Sequence, residues 1–109
     1  MKADTVRGHL DGMILAVVQD EPLHGYGIAE ALRAQSDGAL DLPTGTLYPA
    51  LRRLERLGYL RSSWSTVDGR KRRTYELTRS GQAELSARQE DWQEVSRVIG
   101  TILRTRTAT

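Results

Sequence analysis

The chain has 109 residues, a formal net charge of +2 and no cysteine or phenylalanine. That length fits one domain that buries roughly 60 to 70% of its unfolded surface, and the missing cysteine excludes disulfides, thiolate metal sites and thiol nucleophiles. The longest apolar run, Met13 to Val18, is far short of the roughly 20 residues of a membrane span, and with no signal-peptide pattern at the N-terminus a cytoplasmic protein is expected.

Leu10, Met13, Ile14, Val17 and Val18 recur at the spacing of a helix with one face in a core, which predicts a first helix from about His9 to Gln19. Asp20, Glu21 and Pro22 stop it. A second helix is expected from about Tyr26 to Gln35 after Gly25-Tyr26-Gly27, burying Ile28, Ala31 and Leu32. The SDGAL segment then turns the chain. Pro43-Thr44-Gly45-Thr46 opens a third helix, with Thr44 placed to cap free N–H groups and Gly58 to close it in a left-handed conformation.

Leu47, Leu51, Leu54 and Leu57 supply the buried stripe of this third helix. At about 100° per residue, Tyr48, Arg52 and Arg56 fall on the opposite side with Gly45 and Pro49. Arg52 and Arg56 are like charges at i and i+4, a pairing that costs an isolated helix roughly 0.2–0.5 kcal/mol. An anionic partner gives the pair a reason.

Asp68-Gly69 is a strong two-residue hairpin signal and sets the register of its flanking strands. Counting outwards puts Leu60 opposite Leu77, Ser62 opposite Tyr75 and Trp64 opposite Arg73 on one face. Arg61 falls opposite Glu76 and Ser63 opposite Thr74 on the other. One register therefore yields a leucine pair, a Trp64–Arg73 cation–π contact and an Arg61–Glu76 charge pair.

A last helix is expected from about Ser80 to Arg104, with fraying beyond. Leu85, Trp92 and Ile99 repeat every seven residues, with Val95 and Ile102 at the offset of three, a coiled-coil-like seam that Arg88 interrupts. The small domain leaves little for such a helix to pack on. The seam is therefore read as a dimer interface formed by Leu85, Trp92, Val95, Ile99 and Ile102.

Charge is focused between Arg52 and Arg79, where nine lysines and arginines face three acids, a local excess of six that leaves the rest of the chain at −4. A helix and an adjacent hairpin that concentrate cations form a surface suited to a polyanion. Three helices followed by a hairpin with a basic tip is the order of a winged helix-turn-helix module. The expected fold is mostly α with a small β-hairpin, with a DNA-binding domain over residues 1–79 and a C-terminal dimerisation helix and tail over 80–109.

The segments HLDGMILAVV, PLHGYGIAEAL, LPTGTLYPALRRLERLGYL and GRKRRTYELTRSG resemble successive blocks of the PadR family of bacterial transcriptional regulators, over about residues 7 to 104. The TGTLYPALRRLE helix and the RRTYELT strand are the most specific parts. The resemblance implies a winged-helix homodimer, usually a repressor, of the short class with a single C-terminal helix. By position it carries the start of the recognition helix onto Thr44, Thr46, Tyr48, Pro49 and Arg52, with Arg53 beside them, and the wing onto Arg70, Lys71, Arg72 and Arg73. Hydroxyls and Tyr48 suit phosphate or base edges, Arg52 suits guanine, and the wing cations suit phosphate.

Trp92 has two readings: packing in the seam, or, with Val95, a flat surface for a planar hydrophobic ligand of the kind some short PadR-like regulators take between their C-terminal helices. His24 reads as a backbone hydrogen-bonding residue at a helix start, or as a pH-sensitive group. No cofactor or metal is implied, because two separated histidines give no ligand spacing. The PTGT and HGYG segments lack the Lys-Ser/Thr of a phosphate loop, and nothing orients Ser36, Asp37 and His24 as a triad, so no enzyme is expected. The rival class is a winged-helix module that binds an acidic protein through its basic hairpin.

Overall fold

The apolar stripe of the N-terminal segment forms helix α1, Leu10–Val17, in a computed structural model that describes residues 8–104. The fraying expected after Arg104 lies outside the described residues. His9 stands at the N-cap position of α1. Leu10, Ile14, Leu15 and Val18 are buried, whereas Met13 and Val17 only pack against the core's edge. Leu15 joins the buried set because α1 is packed on two sides, by the second helix and by the last.

Pro22 is followed by a two-residue strand, β1, Leu23–His24, too short to show a period in the sequence. Helix α2 spans Gly25–Gln35 and buries Ile28 and Leu32, with Ala31 only half-buried. Its end is closed by the Gly38 N–H donating to the Arg33 carbonyl at 2.8 Å and by the Leu40 N–H donating to Ser36 Oγ at 2.8 Å.

Helix α3 spans Thr44–Arg56 and buries Leu47, Ala50, Leu51 and Leu54. Thr44 does not cap it. Pro43 occupies the N-cap position, no side chain bonds the cap, and the Pro43 carbonyl accepts from the N–H groups of Thr46 and Leu47 at 3.0 and 3.1 Å. The helix thus starts one residue earlier than expected, and Thr44 sits inside its first turn. Leu57, expected in the buried stripe, is 55% exposed. It follows the last helical residue, just where the chain leaves the helix's phase to enter the left-handed turn at Gly58, φ 82°.

Strands β2, Leu60–Val67, and β3, Arg70–Leu77, form the hairpin in the register expected, from Leu60 opposite Leu77 to Trp64 opposite Arg73. Asp68 and Gly69, with φ of 52° and 77°, supply the two left-handed residues that match the twist of the strands. β1 adds to the free edge of β3, pairing Leu23 with Tyr75 and His24 with Thr74, so the sheet order is β1-β3-β2.

Helix α4 spans Arg79–Leu103. Its start is bound tightly to the end of α3: Thr78 Oγ1 accepts from the Gly81 N–H at 3.0 Å and donates to the Gly58 carbonyl at 2.5 Å, and Ser80 Oγ donates to the same carbonyl at 2.8 Å. Gly81 permits this approach, since a Cβ there would lie 2.1 Å from the Tyr59 carbonyl oxygen. Leu85 is buried in the chain's own core, so it is not available to a seam between copies. From Gln89 onward every described residue of α4 is exposed. Among the described residues, no helix is long and apolar enough to cross a membrane. The fold is the winged helix-turn-helix with a long C-terminal helix that the sequence pattern implied.

Candidate nucleic-acid interface

The amphipathic character of α3 fixes the site. With Leu47, Leu51 and Leu54 turned into the core, Thr44, Thr46, Tyr48, Pro49, Arg52 and Arg56 are all carried on the exposed face. Tyr48 is 37% exposed, and its ring lies across the start of α2. A Cβ placed on Gly25 would come within 2.7 Å of the Tyr48 hydroxyl and 2.9 Å of its Cε1. The absence of a side chain at Gly25 is therefore what lets the phenol lie there.

The cations divide into two groups. Arg53 forms an ion pair with Asp11 of α1, so this residue, expected on the contact face, braces α3 against the first helix. Arg73 likewise turns back towards α3. Its guanidinium stacks 5.6 Å from the Trp64 ring, its Nε donates to Ser62 Oγ at 2.9 Å, and its Nη2 reaches Glu55 at 3.3 Å. Ser62 also donates to Glu55. The Ser62 hydroxyl, opposed by partial desolvation and aided by Arg73, holds the Glu55 carboxyl below its ordinary range.

Arg61 pairs with Glu76, with Nε donating to Oε1 at 2.7 Å. By contrast, Arg52, Arg56, Arg70 and Lys71 have no ion pair or side-chain hydrogen bond among the described residues. Arg72 is half-buried and meets a ring nitrogen of His24 at 3.5 Å. Of the expected contact residues, then, Arg52 and the tip cations Arg70 and Lys71 present unneutralised charge, while Arg53 and Arg73 serve to fix α3 and the wing. Sequence separation of 42 and 18 residues hid these pairings, and only cross-strand geometry placed Arg73 beside Ser62. Burial raises the Tyr75 hydroxyl's pKa, in keeping with its place in the core.

Residues 14–87 match the profile of the Transcriptional regulator PadR-like family. The chain belongs to this family. Among its relatives, Transcriptional regulator Rv3488 of Mycobacterium tuberculosis is 37% identical over 86 residues, which cover 79% of this chain and 78% of that protein. A transcriptional regulator from Clostridium thermocellum superposes with a TM-score of 0.86 at 28% identity, covering 94% of this chain and all of that one. A PadR family transcriptional regulator from Eggerthella lenta gives a TM-score of 0.79 at 30% identity, covering 94% and 88%.

This PadR-like regulator also carries an apolar groove of about 660 Å³ between α1 and α4, lined in part by His9, Met13, Ala16, Leu85, Arg88, Trp92 and Val95. The His9 ring meets Trp92 edge-on at 5.2 Å, with 70° between planes, and Trp92 is still 55% exposed. Trp92 and Val95, the two residues singled out for a ligand, both line this groove. Arg88 leans towards Glu84 at 3.7 Å, and its Nε has no hydrogen-bond partner among the described residues. No cluster of metal-ligating side chains occurs among the described residues.

Proposed function

We propose that this PadR-like regulator is a cytoplasmic, homodimeric repressor that binds a near-palindromic operator. Each α3 enters the major groove, where Thr44, Thr46, Tyr48, Pro49 and Arg52 meet base edges and phosphates, while Arg70, Lys71 and Arg72 of the wing hold the backbone. The observation that carries this reading is the division of the cations: those facing the other helices are neutralised by acids, and those on the outer face of α3 and the hairpin tip have no ion-pair partner among the described residues. A helix of about 10–12 Å across with an uncompensated basic face suits a groove about 12 Å wide.

Residues 1–79 supply the reading head, and residues 80–109 the pairing helix. The exposed apolar side chains Trp92, Val95, Ile99 and Ile102 are the surface through which two copies meet. A planar hydrophobic ligand stacked on Trp92 beside Val95 alters the angle between the paired helices, changes the spacing of the heads and releases the operator. No catalysis is assigned.

Two substitutions test the assignment of roles in fluorescence anisotropy titrations with an operator fragment selected from the host genome. Arg52→Ala costs about 1–3 kcal/mol and relaxes the choice of base at one position, whereas Lys71→Ala weakens all duplexes alike and lowers the salt slope by about one. Equal losses from both variants on every sequence contradict it. Binding that ignores duplex DNA and follows an acidic protein instead turns the reading to the rival class.

A further inference from the structure

His24 and Tyr26, which belong to neither α3 nor the wing, lie between Tyr48 of α3 and Arg72 of the wing. Tyr48 lies against Gly25, and the next residue, Tyr26, stands 66% exposed at the start of α2. The Tyr26 ring centroid is 6.1 Å from that of His24, with the planes tilted by 31°. His24 Nε2 in turn lies 3.5 Å from Arg72 Nη1. The small strand β1 brings this about: pairing His24 with Thr74 sets the imidazole on the sheet face that Arg72, two residues along β3, also occupies.

The chemistry of the contact is one-sided. A guanidinium only donates, so a hydrogen bond at this contact uses a lone pair on His24 Nε2, which only the neutral form of an imidazole offers. Protonating that ring sets two cations side by side. Among the described residues the charged group facing His24 is Arg72 and the titratable one is Tyr26; the cross-strand Thr74 is neutral, and no carboxylate lies within ion-pair reach. An anion between the guanidinium and the imidazolium removes the conflict. A phosphodiester fits, because it offers only acceptors, and Arg72, the Tyr26 hydroxyl and a protonated imidazole can all donate to it.

We propose that His24, Arg72 and Tyr26 form a seat for one DNA backbone phosphate, bridging the reading helix and the wing, and that His24 takes up a proton as the phosphate enters. This rests on the DNA-binding reading above. Linkage is reciprocal: if the phosphate favours the protonated ring, acidity favours the phosphate. Duplex binding then takes up protons near neutral pH and tightens on acidification.

The experiment uses the full chain and a mixed-sequence duplex of about 30 base pairs at low salt, because phosphate contacts are indifferent to sequence. Calorimetric titration near pH 7 in two buffers of different ionisation heat measures proton uptake. Anisotropy from about pH 8 to about pH 6 measures the affinity, which rises by up to tenfold per pH unit for one linked proton. Wild type takes up a substantial part of one proton. His24→Gln, which keeps an acceptor for Arg72, loses both the uptake and the slope, and His9→Gln keeps both. Wild type that binds duplex without proton uptake, or that matches His24→Gln in uptake, overturns the phosphate seat. Wild type that binds no duplex at any pH overturns instead the DNA-binding reading beneath it.

Discussion

Tyr48 lies across the start of α2 because residue 25 carries no side chain. A methyl group at Gly25 meets the Tyr48 hydroxyl oxygen, Cε1 and Cζ at 2.7, 2.9 and 3.0 Å, and the side chain, not the backbone, is the part able to move. Alanine also suits a helix better than glycine by up to about 1 kcal/mol, so the strain and the propensity oppose one another in stability. They do not oppose one another in binding. Gly25→Ala should leave the urea midpoint nearly unchanged while displacing Tyr48 and lowering duplex affinity about fivefold or more, which is about 1 kcal/mol. Parallel unfolding and anisotropy titrations check this; unchanged affinity would show that the placement of Tyr48 is immaterial to binding.

The hairpin is the element most open to a reading of the sequence. Asp68-Gly69 admits one tight turn, the turn fixes the register, and the register alone places Trp64 against Arg73 and Arg61 against Glu76. The buried stripe of α3 was equally open, save at Leu57, where helical phase ends. What tertiary packing decides was not. β1 is too short to show a period, Leu85 is claimed by its own core, and nothing local links Arg53 to Asp11 or Arg73 to Glu55.

That last pair sets a pH dependence belonging to the element. Because the Ser62 hydroxyl and then Arg73 hold the folded Glu55 carboxyl below its ordinary value, its stabilising contribution is present above about pH 4.3 and is lost as pH falls through the lower, folded value. The junction of wing and α3 should therefore loosen in acid. Urea midpoints followed from about pH 6 down to about pH 3 should fall more steeply for wild type than for Glu55→Gln. Parallel curves would mean that the carboxylate does not anchor the wing.

At the scale of the whole molecule, α4 projects beyond the domain it is attached to. Its 25 residues span about 37 Å, the described chain is 65 Å in its longest dimension, and the outer half of the helix contributes nothing to its own core. An exposed stripe of Trp92, Val95, Ile99 and Ile102 on such a helix is unfavourable for a lone chain and natural for a pair. Ile99→Glu places like charges in the proposed seam without touching the reading head. Sedimentation should report a mass of 12.2 kDa for the variant and twice that for wild type, with operator binding weakened and the thermal unfolding of the head preserved. A dimeric variant would place the seam elsewhere.

Regulation at one operator requires an α3 face that discriminates among sequences and does not merely attract anions. The most direct test is the ratio of affinities, at one salt concentration, for an operator fragment selected from genomic DNA and for a mixed-sequence duplex of the same length. A ratio of at least about 10³ is expected, with α3 and the wing protected from hydrogen exchange by the operator. A ratio near one would mean that α3 attracts duplex DNA without reading its sequence.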